Sequence, residues 1–273
     1  MKQILFILFF LPAICTLARP KGALQFSVMG DVPRSAHEDT LLQQQITDHN
    51  RHSTSEFMLH LGDIKSGGAP CDEAVYAKVA GYLRKLDVPV FIVPGDNEWN
   101  DCDDPDQAWT FWTKYFLGLE RFWNYKPIVS RQPQRPENIA WTSRGVLLVG
   151  INLVGGRVFD KSRWDILLRD DAAWVTAQLA QNKDSVRAAV IFAQANPNDK
   201  HASFMTTFRA AARTFEKPIL FIHGDGHRWL HDDPWLEPNI VRVQVDQGGI
   251  APPLQVTVTV DGESMFVFER EPF

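Results

Sequence analysis

Four apolar runs in this chain each stop at the same dipeptide. "LQFSVMGD" (24–31), "EFMLHLGD" (56–63), "VPVFIVPGD" (88–96) and "KPILFIHGD" (217–225) all end in Gly-Asp. Short apolar runs bounded by turn residues predict buried strands. Gly permits a sharp turn at the strand exit, and Asp then presents a carboxylate at the sheet edge. Between and after these runs the apolar positions switch to helical spacing, over 37–52, 72–86, 106–116, 171–182 and 201–215. In the second of these stretches the apolar positions are Val75, Val79, Tyr82, Leu83 and Leu86. Two more strands are expected at 145–152 and 187–194. The tail "NIVRVQVD", "LQVTVTVD" and "SMFVFERE" alternates as strands joined by turns. Strands alternating with helices predict an α/β fold with a largely parallel sheet covered by helices. The tail predicts a second sheet with antiparallel neighbours. Residues 126–138 read as a long surface connection. No stretch reads as an interdomain linker, so 22–273 is expected to form one domain.

The strand exits are where the chemistry is expected. In α/β sheets ligands bind beyond the carboxyl ends of the strands. Asp31, Asp63, Asp96 and Asp225 all fall there, with His223 and His227 beside the last. One Gly-Asp pair is explained equally well as a turn or helix cap. Four of them, if they converge, need raised pKa values or a divalent cation among them. The two His residues favour the cation.

The order of these motifs resembles the calcineurin-like metallophosphoesterases. The matching stretches are "GDVP" (30–33), "LGDIKSGG" (61–68), "PGDNEW" (94–99), "FAQANP" (192–197) and "HGDGH" (223–227). They run through essentially the whole chain after its first residues. The resemblance implies a four-layer α/β/β/α sandwich of two mixed sheets flanked by helices. It also implies a two-metal site that hydrolyses phosphoesters, with a small-molecule phosphoester as substrate.

Carried over residue by residue, the resemblance assigns Asp31 and Asp63 as metal ligands, Asp63 bridging two ions. Pro33 stands where the family has a His. Asp96 replaces the metal-binding Asn and can still ligate. Asn97 replaces the His that contacts phosphate and protonates the leaving group. Gln194 is the nearest available ligand where a further His is missing. Asp225 replaces the first His of the last motif, and His227 keeps the second. One ion is expected near Asp63, Asp96 and Asp225, and a second position near Asp31, Asp63 and His227. Oxygen-rich donors suit Mn²⁺, Mg²⁺ or Ca²⁺ better than zinc or iron. Asn97 cannot transfer a proton in the accessible pH range. His223 is therefore either a substitute acid or a support for a ligand. Arg34 either contacts substrate phosphate or is a solvated loop residue. Two functions follow: a metal-dependent phosphoesterase, or a metal- or ligand-binding protein of the same fold with weak or no turnover.

The N-terminal segment bears on compartment. Met1-Lys2, the apolar run "ILFILFFL" (4–11) and "TLA" (16–18) predict a signal peptide of residues 1–18 and export, periplasmic or secreted; an uncleaved anchor is the other reading. Export leaves Cys71 and Cys102, which in an oxidising compartment favour one disulfide over two free thiols. No transmembrane segment is expected after cleavage. A net charge of -5 without a basic run excludes a general nucleic-acid binding surface. Trp99 and Trp229 follow site motifs and read mainly as packing residues.

Overall fold

A computed structural model describes residues 22–259 and 264–273. The expected signal segment lies outside them. Among the described residues, no helix is long and apolar enough to cross a membrane.

The Gly-Asp runs form β1 (Leu24–Met29), β2 (Met58–His60), β3 (Val90–Ile92) and β8 (Ile219–His223). The first three lie side by side in parallel. Two tail strands, β11 (Leu254–Val258) and β12 (Phe266–Glu269), extend that sheet antiparallel from β1, giving the order β12-β11-β1-β2-β3. A second sheet holds β4 (Ser130–Arg131), β5 (Ile139–Ser143), β6 (Val146–Gly150), β7 (Ala188–Ala193), β9 (Leu230–Asp232) and β10 (Ile240–Gln244) with β8, in the order β4-β5-β6-β7-β8-β10-β9. Its centre, β6-β7-β8-β10, is parallel and its edges are antiparallel. The tail is therefore divided between two sheets rather than forming one of its own. β5 lies just beyond the stretch read as a surface connection. It pairs with β6 across the turn at Arg144 and Gly145, both with positive φ, a geometry that matches hairpin twist.

Strand alternation sorts the core into layers. Phe26, Leu59 and Phe91 of the first sheet meet Leu148, Val190, Phe192 and Leu220 of the second. The opposite face of the first sheet, with Met29, Met58 and Val90, packs on α1 (Ala36–His52), α2 (Glu73–Leu83) and α3 (Pro105–Phe116). The outer face of the second, with Leu147, Ile191 and Phe221, packs on α4 (Lys161–Asn182) and α5 (Ala202–Phe215). The result is the four-layer sandwich of two mixed sheets. α4 starts ten residues before the expected 171. Its early turns bury Trp164, Leu167, Leu168 and then Asp171, and that buried acid interrupts the apolar pattern.

Helix starts follow their caps. Ser35, Asp104 and Asp160 accept backbone N–H groups of α1, α3 and α4. Cys71 and Cys102 form a disulfide with a Cα–Cα separation of 6.0 Å, joining the loop after β2 to the loop after β3.

Candidate metal centre

Because β1, β2 and β3 run parallel, as do β6, β7 and β8, their carboxyl ends carry the motif loops to one rim. Backbone contacts hold the loops together there. Gly62 and Gly95 pack back to back: a Cβ on Gly62 would fall 2.4 Å from the Gly95 N, and one on Gly95 would fall 2.2 Å from the Asp63 N. This contact demands glycine before Asp63 and Asp96, and a φ of 80° at Gly62 adds a second reason there. Asp31, Asp63, Asp225 and His227 have φ values of 57°, 58°, 68° and 60°. Each non-glycine residue in this left-handed region costs about 1–2 kcal/mol. Such strain collects at functional sites.

Asp31, Asp63 and His227 converge. One donor atom from each lies within 4.8 Å of the others. His227 Nε2 is 3.2 Å from Asp31 Oδ1 and in hydrogen-bond contact with Arg34 Nη1. Asp225 N–H donates to both Asp31 oxygens at 3.2 Å. Asp31 and Asp63 are buried, and His227 is partly exposed. Two carboxylates and an imidazole at this separation fit a divalent cation. Burial first, then repulsion from Asp96, Glu98 and Asp31, holds the Asp63 pKa well above the usual carboxylate range.

Asp96 and Asp225 border this cluster without joining it in a second three-residue group. Burial, then Asp225 and Asp101, push the Asp96 pKa up to about 6. Burial chiefly raises that of Asp225. Among the described residues, Asp31, Asp63 and His227 are the three donors brought within reach of one ion, with Asp96 in contact with Asp63 beside them.

The remaining expected residues take distinct places. Asn97 donates from Nδ2 to Asp63 Oδ2 at 2.6 Å and from its backbone N–H to Asp63 Oδ1 at 3.2 Å, so it orients Asp63. Gln194 donates from Nε2 to Asp96 Oδ1 at 2.6 Å, while its Oε1 accepts the Gly155 N–H at 2.7 Å. The oxygen a ligand would use is therefore turned onto backbone, and Gln194 holds Asp96 in place. His223 shares its strand face with Ile219 and Phe221, which point toward the helices. It is 0% exposed, its Nδ1 donates to the Gly224 carbonyl at 2.9 Å, and its Nε2 has no protein partner. Burial lowers its pKa to about 4, which keeps it neutral and unable to act as an acid near neutral pH.

Three contributors escape the sequence reading. Glu98 is 0% exposed and accepts N–H groups from Gly95, Asp63 and Ile64 at 2.7, 3.2 and 3.3 Å. Burial pushes its pKa up to about 7. It ties the β2 and β3 exits together, and its place inside "PGDNEW" was the available signal. The other two are Gly155 and Gly156, in the loop after β6. A Cβ on Gly155 would meet Asp225 Oδ2 at 3.1 Å, and one on Gly156 would meet Asp101 at 2.5 Å and Asp96 at 2.6 Å. No side chain there carries chemistry, so nothing but the Gly-Gly pair marked them.

Several solved structures share this architecture. A dimetal phosphatase from Danio rerio superposes with a TM-score of 0.60 at 13% identity, covering 90% of this chain and 98% of its own. GAP50, the anchor in the inner membrane complex of Plasmodium, gives 0.59 at 10% identity, covering 90% and 84%. A 5'-nucleotidase from Candida albicans gives 0.52 at 13% identity, covering 90% of this chain and 51% of its own. No family model and no curated protein sequence matches the chain.

Proposed function

We propose that this chain, which has the calcineurin-like metallophosphoesterase fold, is an exported hydrolase of phosphate mono- or diesters that works with a divalent metal. The observation that carries the reading is the convergence of Asp31, Asp63 and His227 at the rim where both sets of parallel strands end. These three residues would hold the ion. A bound divalent cation lowers the pKa of a water and polarises phosphoryl oxygens. The oxygen-rich surroundings favour Mn²⁺, Mg²⁺ or Ca²⁺.

The chain's own groups supply the rest. Asn97 keeps both Asp63 oxygens oriented. Gln194 does the same for Asp96. Arg34, whose guanidinium reaches His227 Nε2, places a fixed cation where a phosphate oxygen would need one. Export is supported by the N-terminal signal pattern and agrees with the Cys71–Cys102 bridge.

One observation favours a second reading, a metal-binding protein with weak or no turnover. Asn97 cannot donate a proton, and His223 is buried and neutral. The test is to measure metal bound by the purified mature protein, then assay para-nitrophenyl mono- and diesters with Mn²⁺, Mg²⁺ and Ca²⁺. Metal-dependent turnover abolished by Asp63→Ala supports the hydrolase. Stoichiometric metal without turnover supports the second reading. A protein that takes up none of the three ions refutes both.

A further inference from the structure

We propose that the Cys71–Cys102 bridge makes metal affinity redox-dependent: closed, it holds Asn97 where it orients Asp63, and opened by a dithiol it releases that hold. The inference rests on the reading of Asp31, Asp63 and His227 as metal ligands. The bridge joins the loops after β2 and β3, which are the loops that carry Asp63 and Asp96. Cys102 is 3% exposed, and Cys71 is partly exposed.

Asn97 is the link. Both sulfurs lie against its carbonyl oxygen, Cys71 Sγ at 3.7 Å and Cys102 Sγ at 3.6 Å. The same residue donates to both Asp63 oxygens, from its backbone N–H and from Nδ2. The stretch from Asp96 to Cys102 is a closed turn. The Asp96 carbonyl accepts the Trp99 and Asp101 N–H groups at 3.2 and 3.0 Å, and the Trp99 carbonyl accepts that of Cys102 at 3.1 Å. Tyr76 Oη donates to the Glu98 carbonyl at 2.8 Å and lies 3.9 Å from Cys102 Sγ. On the other side of the bridge, the loop before Cys71 closes over the Asn97 side chain: a Cβ on Gly67 would fall 2.7 Å from Asn97 Oδ1. Lys65 Nζ pins that loop by donating to the Ser66 and Ala69 carbonyls at 3.1 and 2.8 Å. Asn97 is thus held at its backbone by the sulfurs and at its side chain by Gly67.

Reduction undoes the first hold. A thiolate of the dithiol attacks the sulfur of Cys71, the more exposed partner, and Cys102 leaves as a thiolate that takes up a proton. The second thiol closes the reductant's own disulfide and frees Cys71, so two electrons and two protons pass to the protein. Unbonded sulfurs separate to van der Waals distance. They cannot both keep their place at the Asn97 carbonyl, and the loop over Asn97 is no longer tied to the turn. Asp63 then loses the fixed donors that aim it. Partners that orient a metal ligand typically set affinity by about 10–100-fold. Such bridges persist in oxidising compartments, so full affinity belongs to the exported form.

Calorimetric titration of the full protein with Mn²⁺, Mg²⁺ and Ca²⁺ identifies the tightest ion. That titration is repeated after dithiothreitol treatment and anaerobic removal of the reductant, with tryptophan fluorescence reporting the fold. Reduction is expected to raise the Kd at least about tenfold with the fold retained. Asn97→Ala is expected to bind the ion more weakly and to show no further change on reduction, because the link is gone. Gly67→Ala keeps the bridge and displaces the Asn97 amide, so it should also raise the Kd. An unchanged Kd on reduction, an equal further loss in Asn97→Ala, or unaltered binding by Gly67→Ala overturns the proposal. Unfolding on reduction overturns it too, since the bridge would then be a stability bond alone. A bridged protein that takes up none of the three ions refutes the metal reading and the switch together, whereas binding that ignores reduction removes the switch and leaves the metal reading standing.

Discussion

Replacing Asp171 by asparagine should change how the stability of this protein depends on pH. Asp171 sits on α4 with 0% exposure. One oxygen accepts Asn138 Nδ2 at 2.7 Å, and the other has no protein partner. Burial is the main cause that pushes its pKa up to about 8. Asn138 and Arg135 oppose the shift, and the Glu137 and Asp170 carboxylates add to it. In the unfolded chain an Asp titrates near about 3.9. The folded state therefore binds the extra proton. The contribution of Asp171 is fully present below about pH 4, declines as pH rises, and is lost once pH passes about 8. Across that window the slope is about 1.4 kcal/mol per pH unit. The amide in Asp171→Asn keeps the shape of the protonated acid and cannot ionise. The stability of this variant relative to wild type should grow by about 3 kcal/mol between about pH 5 and about pH 7. Urea unfolding at several pH values, with m compared between the two proteins, measures this difference directly. Groups such as Asp63 and Asp96 titrate in both proteins and cancel. Parallel stability curves would refute the assignment of a buried neutral acid at this position.

Other substitutions test the site and its frame. Gly156→Ala places a Cβ 2.5–2.6 Å from the Asp101 and Asp96 carboxylates at a φ of +64°; it should cost about 1–3 kcal/mol and lower metal affinity by titration, whereas Gly68→Ala, with no atom within 4 Å, should be neutral. The Cys71→Ser/Cys102→Ser double variant opens a bridge of sequence separation 31 and should lose about 3–4 kcal/mol in denaturant unfolding, a gap that closes when the wild type is reduced. Arg34→Gln should lower kcat/KM by at least about tenfold, the weight of a charged hydrogen bond to phosphate, without displacing bound metal; an unchanged kcat/KM would remove Arg34 from the substrate contacts.

Much of this protein was legible from its residues in order. The Gly-Asp runs announced strand exits, because short strands and amphipathic helices imprint local periodicity, and the four-layer sandwich followed from the resemblance that the motif order carries. Asp31, Asp63 and His227 could be named as a set because the motif order resembles a family whose metal ligands fall at these positions. The disulfide followed from two cysteines and an inferred compartment.

Other features depend on which backbone approaches which side chain across the fold. The three-atom contact of Gly156 with Asp96 and Asp101 joins residues some sixty positions apart, and glycine has no side chain to advertise it. Gln194 was expected as a ligand, and the direction of its amide was decided by the Gly155 N–H. His223 looked like chemistry until strand alternation turned it to the helix face with Phe221. The tail strands showed their own conformation and not their sheet, because strand pairing is set by partners distant in sequence. Residue order thus determined the elements and the identities of the acids. The burial that raises their pKa values, and the side of the sheet on which each residue works, came only with packing, since both depend on neighbours that the chain brings together by folding.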